Sequence, residues 1–149
     1  DFKIYGRLTS FDNFLADSAH NEDSVRNLIN YLATNFKGKK INLFFACSDN
    51  KDPLKLLKPF EGIVAKIYLA DNIHPKLMSS KKVLSKTNTL NFDFAVKDSM
   101  RSLYSIAKDR NTNELNLFAG SFYFSGELFK HLLEVKNLPI SISNLGEVI

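Results

Sequence analysis

Residues 14–32, reading FLADSAHNEDSVRNLINYL, leave this chain few ways to fold. Three apolar residues, Phe14, Leu15 and Ala16, run straight into a polar cluster, Asp17-Ser18-Ala19-His20-Asn21, and then into Val25, Leu28, Ile29, Leu32 and Phe36. Spacing by three and four marks one face of an amphipathic helix, so the polar cluster occupies a strand-to-helix turn. In a parallel α/β sheet, ligands bind in the crevice beyond the carboxyl ends of the strands, where helix N-termini present N–H groups and positive potential. An Asp, a His and an Asn within five residues at such a turn could contact a nucleotide or a phosphate. The plainer alternative is that Asn21 or Asp23 caps the helix while His20 is solvated.

The same alternation continues along the chain. Residues 3–10 alternate apolar and polar positions and reach a turn-prone Asp12-Asn13 pair, which predicts a β-hairpin or a closely linked pair of strands. The first helix should end near Phe36, with Gly38 supplying a left-handed cap. Residues 41–46 form a continuous apolar run, the pattern of a strand covered on both faces. A second polar cluster follows, Ser48-Asp49-Asn50-Lys51-Asp52, and Pro53 then suits the first turn of a short helix with Leu54, Leu57 and Phe60 as its apolar face. Residues 63–70 predict another buried strand, 71–75 a loop, 79–85 a short helix and 90–94 a brief strand. Residues 98–108 place Met100, Leu103, Tyr104 and Ala107 at helical spacing, with Asp98 or Ser99 near the cap. After a turn at 111–113, residues 115–119 predict the last buried strand, which ends at Gly120-Ser121. A final helix over 127–135 opens on Glu127, an acid at the positive end. Residues 139–149 read as an edge strand or a tail.

Strands alternating with helices predict an α/β fold, a Rossmann-like, mostly parallel sheet of about six strands with helices on both faces and a short N-terminal edge strand. Three polar clusters, at 17–21, 48–52 and 120–121, then fall at strand carboxyl ends and should converge on one edge of the sheet.

Composition narrows the function classes. The 149 residues, 44% hydrophobic and 24% charged, suit one globular domain. A net charge of +4, with lysines scattered or paired as at Lys39-Lys40 and Lys81-Lys82, lacks the basic stripe of a nucleic-acid binder. The lone Cys47 directly follows an apolar run and reads as a buried, inert thiol, and a single cysteine fits a reducing, cytoplasmic setting. No apolar run approaches the roughly 20 residues needed to span a bilayer, so no membrane partner is expected. The chain opens on Asp1-Phe2 without an initiator Met, which suggests a fragment of something longer.

These three clusters, in this order and at these separations, resemble the C-terminal domain of the folylpolyglutamate synthase and dihydrofolate synthase family, relatives of the Mur peptide ligases. The family's LDGAHN stands here as Leu15-Ala16-Asp17-Ser18-Ala19-His20-Asn21, with an extra residue before Asp17 and Ser18 where the family usually has Gly. Its FG followed by DKD stands as Phe45-Ala46-Cys47-Ser48-Asp49-Asn50-Lys51-Asp52, with Ala46 and Asn50 as departures. Its GSLYLxGE stands as Gly120-Ser121-Phe122-Tyr123-Phe124-Ser125-Gly126-Glu127. Gly6-Arg7 resembles the family's GR before the first strand, at a shorter distance from Asp17.

The resemblance implies ATP-dependent amide-bond formation, in which a substrate carboxylate is phosphorylated and the amine of glutamate displaces the phosphate. Arg7, Asp17, His20 and Asn21 would face ATP, while Lys51 and Ser121 would hold the glutamate carboxylates, with no residue assigned as an acid, a base or a metal ligand. There is no GxxxxGK[ST] phosphate loop. The resemblance places it, together with most of the Mg²⁺ binding, on an N-terminal ATPase domain that would be this chain's partner in a monomeric protein. The isolated chain should then be inactive, with glutamate and folate or dihydropteroate as substrates of the whole. Two rivals stay open: a Mur-type cell-wall ligase, and a non-catalytic Rossmann-like module binding a nucleotide or a partner protein.

Overall fold

A computed structural model describes residues 8–11, 14–108 and 113–136. Arg7, most of the region 3–10, the Asp12-Asn13 pair, most of the 111–113 turn and the segment 139–149 lie outside the described residues.

Six strands form one sheet in the order β1-β2-β6-β3-β4-β5. They are β1 (Thr9–Phe11), β2 (Phe14–Ala16), β3 (Lys40–Phe45), β4 (Val64–Ala70), β5 (Asp93–Lys97) and β6 (Glu114–Ala119). The short edge strand β1 runs antiparallel to β2, as the hairpin reading expects, and every other neighbouring pair is parallel. Helices α1 (Glu22–Asn35), α2 (Pro53–Leu57), α3 (Ser80–Lys86), α4 (Met100–Lys108) and α5 (Phe122–Lys136) supply the connections. The α/β architecture foreseen from the sequence is the one observed.

Alternation along the central strands divides the core in two. Leu43 and Phe45 face one side, packing with Val25, Leu28 and Leu32 of α1, Leu57 of α2 and Val83 of α3. Phe44 faces the other side, with Leu103 and Ala107 of α4 and Phe124, Leu128 and Leu132 of α5. Phe118, Phe44 and Tyr68 are register partners across β6, β3 and β4. Their rings stack in sequence, with centroids 4.5 and 4.8 Å apart, each pair adding about 0.5–1.5 kcal/mol beyond its area burial.

Three elements differ from the sequence reading. Helix α5 begins at Phe122, well before Glu127, because the Ser121 hydroxyl accepts the Tyr123 N–H and caps it; Gly126 lies inside the helix. Glu127 therefore sits past the first turn and pairs with Lys130 at 3.3 Å. Strand β5 starts at Asp93 rather than Leu90, since Leu90 closes a turn onto the Thr87 carbonyl and the register with β4 begins at Asp93. In α2 the buried residues are Pro53, Leu56 and Leu57, while Leu54 is only half-buried.

Candidate functional site

Because β2, β6 and β3 are neighbours, the three polar clusters emerge side by side at one edge of the sheet. Register fixes their closeness: Ala16 pairs with Phe118, Phe45 pairs with Ala119, and the Asp17 N–H donates to the Phe118 carbonyl at 2.9 Å. Gly120 makes this approach possible. Its φ is +125°, and a Cβ there would collide with the Ala46 carbonyl oxygen at the end of β3.

Asp17, His20 and Asn21 come together in a cavity of about 410 Å³ lined also by Leu8, Asp23, Asn27 and Phe122. The Asp17 carboxylate is oriented by two backbone donors, Ala19 N–H on Oδ1 at 2.8 Å and Leu8 N–H on Oδ2 at 3.0 Å. Leu8 has a left-handed backbone, with φ of 45°, and that contact helps hold it. Asn21 caps α1: its Oδ1 accepts the Ser24 N–H at 2.8 Å, and the Ser24 hydroxyl accepts the Asn21 N–H in return. The capping alternative is thus observed for Asn21, within the same cavity as Asp17.

His20 is held with a defined tautomer. Its Nδ1 lies 3.0 Å from the Ser18 carbonyl oxygen, which can only accept, so Nδ1 carries a proton and Nε2 of the neutral ring is an acceptor. The ring leans on Phe122, centroids 4.9 Å apart. With the carboxylates of Asp17 and Asp23 in its wall, this cavity suits hydroxyl donors better than phosphate oxygens.

Lys51 and Ser121 lie at the same sheet edge but do not line that cavity. Lys51 is half-buried on the loop after β3, its N–H bonded to the Ser48 carbonyl. Ser121 is only 1% exposed and its hydroxyl is engaged in capping α5. Cys47 is buried, and desolvation, followed by the charges of Asp49 and Asp52, pushes its pKa up to about 12. That is the inert thiol expected.

No family model matches the chain. The dihydrofolate synthase/folylpolyglutamate synthase of Bacillus subtilis (strain 168) is 26% identical over 116 residues, covering 78% of this chain and 27% of that protein. The Mycobacterium tuberculosis folylpolyglutamate synthase, solved with ADP and AMPPCP, aligns with a TM-score of 0.74 and 17% identity over 85% of this chain and 31% of its own. A bifunctional folylpolyglutamate synthase/dihydrofolate synthase from Yersinia pestis, solved with AMPPNP and a Mn ion, aligns at 0.74 and 21% identity over 91% of this chain and 32% of its own. The chain is similar in sequence and in fold to part of these folylpolyglutamate and dihydrofolate synthases. It spans about a third of the length of the synthases it matches.

In this synthase-like domain the departure at position 18 has a structural counterpart. Ser18 is buried and its hydroxyl donates to that of Ser125 on α5 at 3.1 Å. Among the described residues, no group of three or more His, Cys, Asp or Glu is arranged to hold a metal ion. Nor is any described helix long and apolar enough to cross a membrane.

One site element escaped the sequence reading. His74, on the loop after β4, stacks on Tyr123 with centroids 4.6 Å apart and planes 28° from parallel. Two histidines thus flank the consecutive aromatics Phe122 and Tyr123, one on each. The only available signal was composition, a His-Pro pair within a predicted strand-end loop.

Proposed function

We propose that this chain is the C-terminal, glutamate-ligase domain of an ATP-dependent ligase that adds glutamate to a folate or dihydropteroate carboxylate, working against an N-terminal ATPase domain of the same protein. The observation that carries the proposal is the convergence of the Asp17, Lys51 and Ser121 clusters at the ends of adjacent strands β2, β3 and β6. The order and spacing of those clusters resemble the synthase pattern, and the likeness to the Bacillus subtilis synthase supports the reading.

In the proposed reaction the substrate carboxylate attacks the terminal phosphorus of ATP and ADP leaves. The glutamate amine then attacks the acyl carbon of the resulting acyl phosphate, inorganic phosphate departs, and the amine's proton passes to solvent. Phosphoryl transfer of this kind asks for positioning and charge neutralisation more than for covalent help from the protein. Asp17, its carboxylate held by backbone donors, would accept ribose hydroxyls of ATP, with His20 and Asn21 beside it. Arg7 would meet phosphate from the segment before β1. Lys51 supplies an ammonium for a glutamate carboxylate. Ser121 would act on the same substrate by shaping the turn it caps. Mg²⁺ would be held mainly by the N-terminal domain.

The test is ATP turnover by the longer protein containing this chain, with dihydropteroate or folate as acceptor. Glutamate-dependent turnover is expected, lowered about tenfold or more by Asp17→Ala or His20→Ala. Turnover indifferent to glutamate would overturn the assignment, and turnover by this chain alone would overturn the need for a second domain.

A further inference from the structure

The loop over residues 71–80, between β4 and α3, is bound to its surroundings at several points. Asp71 staples its base, its two oxygens accepting the Ser80 N–H at 2.8 Å and the Ser80 hydroxyl at 2.6 Å. The middle lies across the end of β3: Met78 N–H donates to the Cys47 carbonyl at 2.8 Å, Asp49 N–H donates to the Lys76 carbonyl at 3.1 Å, and Ser48 bridges Leu77 in antiparallel fashion. At its outer turn His74 reaches Tyr123 on the far side of β3.

The imidazole is fixed as well as stacked. Lys76 N–H donates to His74 Nδ1 at 3.0 Å, so in the neutral ring Nδ1 is the acceptor and Nε2 carries the proton. This is the opposite tautomer from His20. The loop therefore clasps both the segment that carries Lys51 and the turn that carries Ser121, whose hydroxyl holds the Tyr123 N–H. It stands away from the Asp17 cavity, which lies toward β2, and it lines a separate cavity of about 700 Å³ with Asp71, Asn72, His74 and Ser79.

We propose that this loop borders the substrate site beside the three polar clusters, and that His74 is a positioning residue which, by stacking on Tyr123, sets the β6–α5 turn and the Lys51 loop for the amino-acid substrate. The inference rests on the glutamate-ligase reading above. An ordered ring pair between a loop and the first turn of α5 restricts where their backbones can sit, and small displacements of a substrate-positioning group cost rate steeply. Because the clasp lies on the Lys51 and Ser121 side, its loss should weaken glutamate and spare the nucleotide.

The experiment compares His74→Ala and His74→Phe in the longer protein containing this chain, measuring KM for glutamate and for ATP separately. His74→Ala is expected to raise the glutamate KM about five- to tenfold and leave the ATP KM within about twofold, while His74→Phe, which keeps a ring on Tyr123, returns the glutamate KM to within about twofold of wild type. An unchanged glutamate KM in His74→Ala, an equal rise in both constants, or no rescue by His74→Phe would overturn the proposal. Wild-type protein without glutamate-dependent turnover would instead overturn the ligase reading, and this inference with it.

Discussion

The buried hydroxyl of Ser18 donates a hydrogen bond to that of Ser125, 107 residues further along the chain, at 3.1 Å. It ties the turn after β2 to the first turn of α5, so the Asp17 cluster and the β6–α5 turn are held to one another by side chains as well as by the sheet. A single substitution, Ser18→Ala or Ser125→Ala, leaves one buried hydroxyl without this partner and should cost about 1–2 kcal/mol in urea unfolding. The double variant should cost less than the sum of the two, because neither hydroxyl is then stranded.

Gly120→Ala should be among the most damaging changes at the sheet edge. Its φ of +125° disfavours any side chain, and the new methyl would press on the Ala46 carbonyl and the Phe45 ring. Backbone strain of this kind costs about 1–3 kcal/mol before the collision is counted. A denaturation midpoint within experimental error of wild type would contradict it.

Cys47 should resist alkylation in native buffer at pH 8 and react readily once the chain is unfolded, because its pKa of about 12 leaves almost no thiolate. The same shift links stability to pH. A thiol whose pKa rises from 9.0 on folding favours the native state below pH 9, and that contribution is lost as pH climbs from 9 toward 12. Cys47→Ala should flatten this alkaline limb in thermal melts.

His131 on α5 meets Tyr104 on α4 edge to face, centroids 5.0 Å apart. Burial lowers its pKa below 6.5; Glu134 opposes the shift and Arg101 adds to it. Below 6.5 the unfolded chain binds the proton more readily than the native one. The histidine's contribution is therefore present above pH 6.5 and lost as pH falls through its depressed native value. Melting temperature should drop between pH 7 and 5 with a shallower slope in His131→Phe.

The strand runs at 14–16, 41–46, 63–70 and 115–119 could be read from one dimension because burial on both faces demands near-continuous apolar residues. The face of α4 was legible for a related reason, since Met100, Leu103, Tyr104 and Ala107 repeat at the helical period and all four are buried. The polar residues inside these runs were less transparent. Asn42 and Asn116 sit opposite each other in adjacent central strands, joined at 3.2 Å, and Asn116 also donates to the Ala107 carbonyl of α4. Nothing local announces that two buried amides will satisfy each other.

Local patterning thus determined the alternation of strands and helices, the two-faced core and the placement of polar clusters on strand ends, since each depends on hydrophobic period and turn chemistry within a few residues. Only the tertiary structure decided which ends are neighbours. Strand order places the last strand, β6, between β2 and β3, and that order sets Asp17 against Phe118, Gly120 against Ala46, and His74 on Tyr123. Those contacts join residues far apart in the chain, where the identity of one says little about the other until the sheet brings them within reach.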